Sequence, residues 1–210
     1  MPKKITVVDY GAGNIGSVLN MIKRVGGVAS ASGNVEVLAQ ASKLLLPGVG
    51  SFDNAVQKLE QLGLDNVLRE RAGAGVPLLG ICLGMQLLSS GSEEGILPGL
   101  GLIPGRVKHF SFDADQSSLK IPHMGWNEAI FKESGRLTEG IKVEGEPFYF
   151  VHSYRLVKTD ESLVWCETDY AGRFVSGIKR GKVLATQFHP EKSQVKGLQI
   201  YRNFLTLVNR

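Results

Sequence analysis

The chain has 210 residues, of which 43% are hydrophobic and 21% charged, an ordinary balance that excludes intrinsic disorder and collagen-like repeats. Its formal net charge is only +4, and because its basic residues are scattered, nothing indicates a nucleic-acid partner. Two cysteines are too few for a disulfide framework or a four-cysteine zinc site, and no spacing of His, Cys, Asp and Glu indicates a metal, so no metal or cofactor is expected.

No segment of the sequence is typical of a signal peptide or a membrane span. The apolar stretch after the first lysines is too short for a signal sequence, and no run of about 18 apolar residues occurs elsewhere. Two cysteines that stay free fit a reducing compartment. We therefore expect a cytoplasmic protein without membrane contact, organised as a single domain over residues 1–210 because no linker or repeat divides it.

The first half of the chain alternates short apolar strands with helices. Strands are predicted at residues 5–10, 28–31, 44–46 and 77–81, and helices at residues 15–25, 35–41, 56–68 (one or two) and 83–88. These strands are apolar without alternation, which is typical of strands covered on both faces. This half is therefore predicted to form a parallel sheet flanked by helices.

The second half is predicted to consist mainly of strands with short connections. The strands lie at residues 102–110, 120–131, 148–157, 163–168, 174–179 and 183–188, with a hairpin turn at Arg180-Gly181. A final helix carries apolar residues along one side, namely Val195, Leu198, Tyr201, Leu205 and Val208. The predicted fold class is α/β, with a mostly parallel central sheet and an antiparallel β extension.

The first predicted strand is followed by Gly11-Ala12-Gly13-Asn14-Ile15-Gly16, which matches the G-x-G-x-x-G fingerprint of dinucleotide-binding proteins. That fingerprint also needs an acidic residue at the end of the second strand to hold the ribose. Here the first acid is Glu36, beyond that strand. The segment is therefore interpreted as a tight turn in which backbones pack closely, with Asn14 as a helix N-cap.

Cys82 lies between a predicted buried strand and a helix, with Gly80 and Gly84 two residues away on either side. This spacing is typical of a nucleophile elbow, in which larger side chains at the glycine positions would clash with the strand and the helix. The N-terminus of the following helix offers free N–H groups to an oxyanion. Cys82 is therefore predicted to be a nucleophile, whereas Cys166 has no such context and is interpreted as a core residue.

The sequence His189-Pro190-Glu191 supplies a candidate base at the end of the last predicted strand. Active sites of parallel α/β sheets lie beyond strand ends, and residues two positions apart in extended chain face the same side. A carboxylate at Glu191 can hold one imidazole nitrogen of His189 and leave the other for the thiol. His109 and His123 are interpreted as surface or core residues.

Three motifs together resemble the class I (triad) glutamine amidotransferases. They are Gly80-Ile81-Cys82-Leu83-Gly84-Met85-Gln86, Gln187-Phe188-His189-Pro190-Glu191 and Pro47-Gly48-Val49-Gly50, the last resembling the oxyanion loop of that family. The resemblance covers essentially the whole chain. It implies a flavodoxin-like α/β fold and an enzyme that hydrolyses glutamine.

Three further segments narrow the resemblance within this family. They are Val8-Asp9-Tyr10-Gly11-Ala12-Gly13-Asn14, Lys120-Ile121-Pro122-His123-Met124-Gly125-Trp126-Asn127 and Tyr149-Phe150-Val151-His152-Ser153-Tyr154. These segments are similar to those of the glutaminase subunits of imidazole glycerol phosphate synthase, an enzyme of histidine biosynthesis. The length agrees, because amidotransferases of this class with a fused synthase domain are longer.

The resemblance implies a role for each matching residue. Cys82 attacks the side-chain amide of glutamine. His189 takes the thiol proton and passes it to the departing ammonia, and Glu191 orients His189. The backbone N–H groups expected to hold the oxyanion are those of Leu83 and of Val49 or Gly50. The residues expected to bind glutamine are Gly50, Gln86, Glu94, Ser153 and Tyr154.

The resemblance also implies a partner, a (β/α)8-barrel subunit that forms a heterodimer with this chain and receives ammonia through a tunnel. That subunit makes imidazole glycerol phosphate and an aminoimidazole carboxamide ribotide. The residues expected at or near the interface are Asn14, Met124, Trp126 and Tyr149. The isolated chain is expected to have low glutaminase activity that rises with the partner and its ligand.

Two other functions stay open at this point. One is a glutaminase subunit of another pathway, and the other is a cysteine hydrolase of similar fold that does not act on glutamine. A catalytically silent binding subunit is disfavoured, because Cys82, His189 and Glu191 are all present. Gln86 and the loop at residues 47–50 favour glutamine over other substrates.

Overall fold

The fold is built on an eleven-stranded sheet, seen in a computed structural model that describes residues 4–112, 119–157 and 159–207. The strands are β1 (Lys4–Val8), β2 (Val28–Ser32), β3 (Leu44–Leu46), β4 (Leu78–Ile81), β5 (Arg106–His109), β6 (His123–Phe131), β7 (Glu146–His152), β8 (Tyr154–Val157), β9 (Val164–Asp169), β10 (Arg173–Arg180) and β11 (Val183–Thr186). The helices are α1 (Ile15–Arg24), α2 (Val35–Ala39), α3 (Phe52–Gln61), α4 (Leu64–Gly73), α5 (Leu83–Leu88) and α6 (Gln194–Thr206). Val208, predicted on the last helix, lies outside the described residues.

Five strands form a parallel half of the sheet in the spatial order β2, β1, β3, β4 and β11. Helices cover both faces: α1 and α6 pack on one, and α2 to α5 pack on the other. Neighbouring residues of β1 show the alternation, since Val7 faces the first pair of helices and Val8 faces the second group. The predicted parallel sheet is confirmed, and β11 joins it from the far end of the sequence.

The other strands extend the sheet in antiparallel order through β10, β9, β6 and β7, while β5 and β8 form a pair attached to β10. A cluster of aromatic side chains fills this half, including Phe110, Phe131, Phe148, Phe150, Trp165, Phe174 and Phe188. Phe148 and Phe188 stack with ring centroids 4.1 Å apart. The predicted antiparallel extension is confirmed. Within the described ranges, no helix has the length and apolar character needed to cross a bilayer.

The predicted single strand at residues 148–157 is wrong, because the chain breaks at Ser153. Up to His152 the chain pairs with β6, whereas from Tyr154 it pairs with β5 and β10. The change of partner turns the chain at this point and brings residues 152–154 to the edge of a cavity.

Other predicted boundaries are wrong by a few residues. The strand predicted at residues 102–110 is limited to β5, since Gly105 has a φ of +111° that a continuous strand does not allow. The strands predicted at residues 120–131 and 183–188 are shortened to β6 and β11. The hairpin turn contains Gly181 and Lys182, because Arg180 still pairs with Val183.

Two helical glycines differ in what surrounds them. In α6, a Cβ atom at Gly197 would overlap the carbonyl oxygen of Pro190, whereas a Cβ atom at Gly16 in α1 would have nothing within 4 Å. We expect Gly197→Ala to lower the free energy of unfolding by about 1–3 kcal/mol through overpacking. The matched control, Gly16→Ala, should raise it by about 0.5–1 kcal/mol, since alanine is the better helix former. Urea unfolding measures both, and equal effects of the two variants would contradict the close contact.

Candidate active site

Cys82 lies in a strained turn between β4 and α5. Its φ is +53° and its ψ is −110°, a conformation that residues other than glycine seldom adopt. Its backbone N–H donates to the carbonyl oxygen of Thr186 at 2.8 Å, which fastens the turn to the end of β11. A Cβ atom at Gly84 would overlap the carbonyl oxygen of Leu46, and one at Gly80 would lie 2.8 Å from a side-chain atom of α5. Both glycines are therefore required by close packing, as the elbow spacing predicts.

His189 and Glu191 lie just beyond the end of β11. His189 Nδ1 and Glu191 Oε1 are 2.7 Å apart, and both side chains are almost completely buried. The other nitrogen, His189 Nε2, is buried without a hydrogen-bond partner among the described residues. Burial alone lowers the pKa of His189, but interaction with the Cys82 sulphur and with the Glu191 carboxylate outweighs burial and raises the pKa to about 10. Cys82, His189 and Glu191 thus form one electrostatically coupled group.

A cavity of about 340 Å³ opens beside Cys82, a size typical of small-molecule sites. Its lining includes seven residues that the family resemblance implies at the oxyanion or substrate positions, namely Val49, Gly50, Leu83, Gln86, Glu94, Ser153 and Tyr154. Val151, His152, His189 and Lys192 complete the lining. In the described part of the chain, no group of three or more His, Cys, Asp and Glu side chains is arranged to hold a metal ion.

The loop at residues 47–50 is held against the start of α5. The Tyr10 hydroxyl donates to the carbonyl oxygen of Pro47 at 2.9 Å. A Cβ atom at Gly48 would lie 2.7 Å from the Tyr10 hydroxyl and 2.9 Å from the backbone nitrogen of Gly84, so this position needs glycine. Gly50 has a φ of +101°, and it brings the end of the loop to the cavity.

The glycine-rich turn at residues 11–16 packs on the same loop. Gly13 has a φ of +112°, and a Cβ atom there would lie 3.1 Å from the Pro47 ring. Asn14 is exposed, and its side chain caps α1 by accepting a hydrogen bond from the backbone N–H of Ser17 at 3.3 Å. β2 ends at Ser32 without an acidic residue, which agrees with a packed turn and not with a dinucleotide site.

Gln86 and Glu94 brace the cavity walls. Gln86 Nε2 donates to the carbonyl oxygen of Tyr154 at 3.3 Å. Glu94 Oε2 accepts a hydrogen bond from the backbone N–H of Phe52 at 3.0 Å, where α3 begins after the 47–50 loop. Burial raises the pKa of Glu94, while the hydrogen bond from Phe52 opposes the shift. Both side chains therefore connect the cavity to the elements that form it.

Met124, Trp126 and Tyr149 lie outside the cavity on the solvent side of β6 and β7, a surface that we call the outer β6–β7 face. Met124 is 61% exposed and Trp126 is 50% exposed. Trp126 pairs with Tyr149 across the strands, and their rings meet edge to face at 6.2 Å. The carbonyl oxygen of Tyr149 accepts from the backbone N–H of His189 at 2.9 Å, and Lys192 Nζ lies 5.5 Å from the Tyr149 ring centre. This exposed apolar face therefore adjoins the segment that carries the base.

His152 and His123 form a buried pair beside the cavity. His123 Nδ1 and His152 Nε2 are 3.0 Å apart. Burial lowers the pKa of His123 to about 4 and that of His152 to about 3. Both rings are therefore neutral near pH 7, and His123 is a core residue.

These two shifts predict acid sensitivity of the fold. The unfolded chain takes up protons on both histidines near pH 6.5, but the folded chain does so only near pH 4 and below, so the free energy of unfolding should fall as the pH drops from 6.5 toward 4. Above that window this contribution is constant. His123→Phe removes one such group and should reduce the slope. Urea unfolding at about pH 7.5, 6 and 5 measures the slope, and identical slopes for the two chains would contradict the buried neutral pair.

Four residues of the site carry no signal of their own in the sequence. They are Tyr10, His152, Gln187 and Lys192. All four lie in or next to motifs that contain predicted site residues, but neither periodicity nor spacing distinguishes them. Their roles depend on contacts between distant segments, such as the pairing of His123 with His152 across β6 and β7.

Known proteins resemble this chain in sequence and in fold. A family model described as "Glutamine amidotransferase class-I" matches residues 6–208. The chain is 46% identical to "Imidazole glycerol phosphate synthase subunit HisH" of Aquifex aeolicus, over 96% of this chain and 95% of that protein. It is 42% identical to "Imidazole glycerol phosphate synthase subunit HisH 2" of Methanococcus maripaludis, over 96% and 98%. Among solved structures, PurLQS from Thermotoga maritima has the same fold, with a TM-score of 0.75, 20% identity and 98% of each chain covered.

Proposed function

The chain belongs to the class-I glutamine amidotransferase family. We propose that it hydrolyses glutamine and supplies the ammonia to the barrel subunit of imidazole glycerol phosphate synthase in histidine biosynthesis. The observation that carries this proposal is the placement of Cys82 and His189 in the lining of one cavity, with Glu191 Oε1 2.7 Å from His189 Nδ1. The high identity with subunits of that synthase supports the pathway over another glutaminase pathway.

The reaction proceeds through a thioester on Cys82. His189 Nε2 takes the proton of the Cys82 thiol as the Sγ atom attacks the side-chain amide carbon of glutamine. His189 then gives that proton to the leaving nitrogen as the carbon–nitrogen bond breaks. Ammonia departs and a γ-glutamyl thioester remains. Water that loses a proton to His189 then attacks the thioester carbon. The carbon–sulphur bond breaks and His189 returns the proton to the departing sulphur, so that glutamate and the free thiol form. Glu191 holds Nδ1 at 2.7 Å, which keeps Nε2 directed to the reacting atoms.

The oxyanion of each tetrahedral intermediate forms beside the start of α5. Leu83 is the first residue of that helix, so its backbone N–H has no partner within the helix and is available to the oxyanion. The second donor is the backbone N–H of Val49 or Gly50, on the loop that Tyr10 anchors. Loss of one such donor typically costs about 2.7–4 kcal/mol of barrier.

The amino-acid end of glutamine occupies the part of the cavity away from the thiol. Glu94 is the carboxylate of the cavity lining and is suited to the substrate ammonium group. Gly50, Gln86, Ser153 and Tyr154 line the same space and supply polar contacts for the carboxylate and the amide. Lys192 adds a cation that the sequence motifs did not indicate.

We propose that the outer β6–β7 face receives the barrel subunit as a heterodimer. Met124 and Trp126 expose apolar surface there, and Trp is enriched at the energetic centres of interfaces. Tyr149 belongs to the same face, and its carbonyl oxygen accepts a hydrogen bond from the backbone N–H of His189. Ammonia released beside His189 therefore has a short path to a partner bound there. Asn14 is the fourth expected contact. A cytosolic location fits two free cysteine thiols.

The first test removes the nucleophile. Cys82→Ala should lower glutamine-dependent synthesis by the complex about 10⁴-fold or more, because no other group forms the thioester. Synthesis from ammonium salts should stay at the wild-type rate, since it bypasses the glutaminase site. The matched control is Cys166→Ala, which removes the other buried thiol and should keep glutamine-dependent synthesis. Retained glutamine-dependent synthesis in Cys82→Ala is the result that would sink the proposal.

The second test concerns the partner surface. Trp126→Ala should weaken binding to the barrel subunit by at least about 2 kcal/mol, or about thirtyfold in Kd. Val28→Ala is the control, because Val28 is an exposed apolar residue of β2, at the opposite edge of the sheet. Calorimetric titration measures both. Equal affinities for the wild type and Trp126→Ala would place the partner elsewhere.

A further inference from the structure

A chain of side-chain hydrogen bonds leads from the end of β9 to the cavity. Asn127 Nδ2 donates to the carbonyl oxygen of Asp169 at 2.9 Å and lies 3.2 Å from His123 Nε2. His123 Nδ1 lies 3.0 Å from His152 Nε2. His152 Nδ1 then lies 2.8 Å from the carbonyl oxygen of Tyr154. His123 does not line the cavity itself, but this chain connects it to the cavity wall.

With both imidazole rings neutral, only one placement of the hydrogen atoms satisfies every hydrogen bond in this series. A carbonyl oxygen only accepts, so His152 Nδ1 carries the hydrogen and His152 Nε2 accepts. His123 Nδ1 must then donate, and His123 Nε2 accepts from Asn127. The Asn127 amide is oriented independently, because its Oδ1 accepts from the backbone N–H of Glu128 at 2.8 Å. A further proton on either ring would set two donors against each other.

The series of hydrogen bonds continues past the cavity wall to Cys82. The carbonyl oxygen of Tyr154 also accepts from Gln86 Nε2, which lies 3.2 Å from Gln187 Oε1. Gln187 Nε2 donates to Cys82 Sγ at 3.7 Å. The strand break at Ser153 is thus held from both sides, by the His152 ring and by Gln86.

The ring of His123 is also packed between aromatic side chains. It stacks on Tyr170 with centroids 4.0 Å apart and on Phe150 with centroids 4.8 Å apart. His123 therefore has two separable roles, a flat ring in the core and a hydrogen-bond donor to His152. Phenylalanine keeps the ring and loses the donor, whereas asparagine keeps a donor near the Nδ1 position and loses the ring.

We propose that His123 is a positioning residue for glutamine binding, which acts by donating to His152 and thereby holding residues 152–154 on the cavity wall. The inference rests on the proposed function, because Ser153 and Tyr154 are expected to bind the amino-acid end of glutamine. It predicts that affinity for glutamine depends on a donor at a position that the substrate does not touch.

The test compares His123→Phe with His123→Asn in the complex with the barrel subunit. In His123→Phe, KM for glutamine should rise about tenfold while kcat changes less than about threefold. The reason is that residues 152–154 shift, whereas Cys82, His189 and Glu191 keep their positions. In His123→Asn, KM should stay within about twofold of the wild type, although stability falls. If KM instead rises in His123→Asn and not in His123→Phe, or rises equally in both variants, His123 acts only through packing and the proposal is overturned.

Thr168→Val is the matched control. It removes a buried hydrogen bond of 2.8 Å to Ser176, outside the cavity lining, and should lower stability without changing KM. A rise in KM equal to that of His123→Phe would show a general effect of destabilisation and would overturn the proposal.

Nitrogen NMR of the imidazole rings gives a readout that needs no turnover. The wild-type chain should show His152 protonated at Nδ1, with its Nε2 resonance shifted as a hydrogen-bond acceptor. His123→Phe should lose the hydrogen-bond shift at Nε2, while His123→Asn keeps it. A wild-type His152 protonated at Nε2 would overturn the positioning role alone. Absence of glutamine turnover in the wild-type complex would instead overturn the proposed function.

Discussion

The close approach of α5 to β3 is the constraint on which the site depends. Gly84 has no side chain, so the first turn of α5 lies against the carbonyl oxygen of Leu46. The chain reaches that position from β4 only through the positive φ of Cys82, which raises the thiol above the sheet. The same contact places Leu83 beside the 47–50 loop, because that loop directly follows β3. The proposed nucleophile and the proposed oxyanion donors are thus positioned by one packing contact.

The base is brought to this point by β11 and by the outer strands. The backbone hydrogen bond from Cys82 to Thr186 joins the elbow to β11, and the segment that follows β11 carries His189. The backbone N–H of His189 donates a hydrogen bond to the carbonyl oxygen of Tyr149 in β7, and the outer side of β7 is exposed. A backbone hydrogen bond therefore joins the surface proposed for the partner to His189, the proposed base. A partner on that face would lie next to the site proposed to release ammonia.

Local patterns predict the features that are local in the structure. The G-x-C-x-G spacing predicts the elbow, because backbone contacts at ±2 residues determine it, and His189 with Glu191 meet because they are close in sequence. The break at Ser153 was not predictable, since it reflects a change of strand partner between segments far apart in the chain. The link from His123 to His152 likewise depends on the register of β6 against β7. Burial and tautomer state follow from that register and not from either residue alone.

Whether the Cys82 thiol attacks a glutamine carbonyl group is tested by treating the chain, with the barrel subunit present, with a diazoketone analogue of glutamine, followed by peptide mass spectrometry. We expect one covalent adduct, on the peptide that contains Cys82, with glutamine protecting against it and Cys166 unmodified. No adduct on Cys82, or an adduct that glutamine does not prevent, would contradict it.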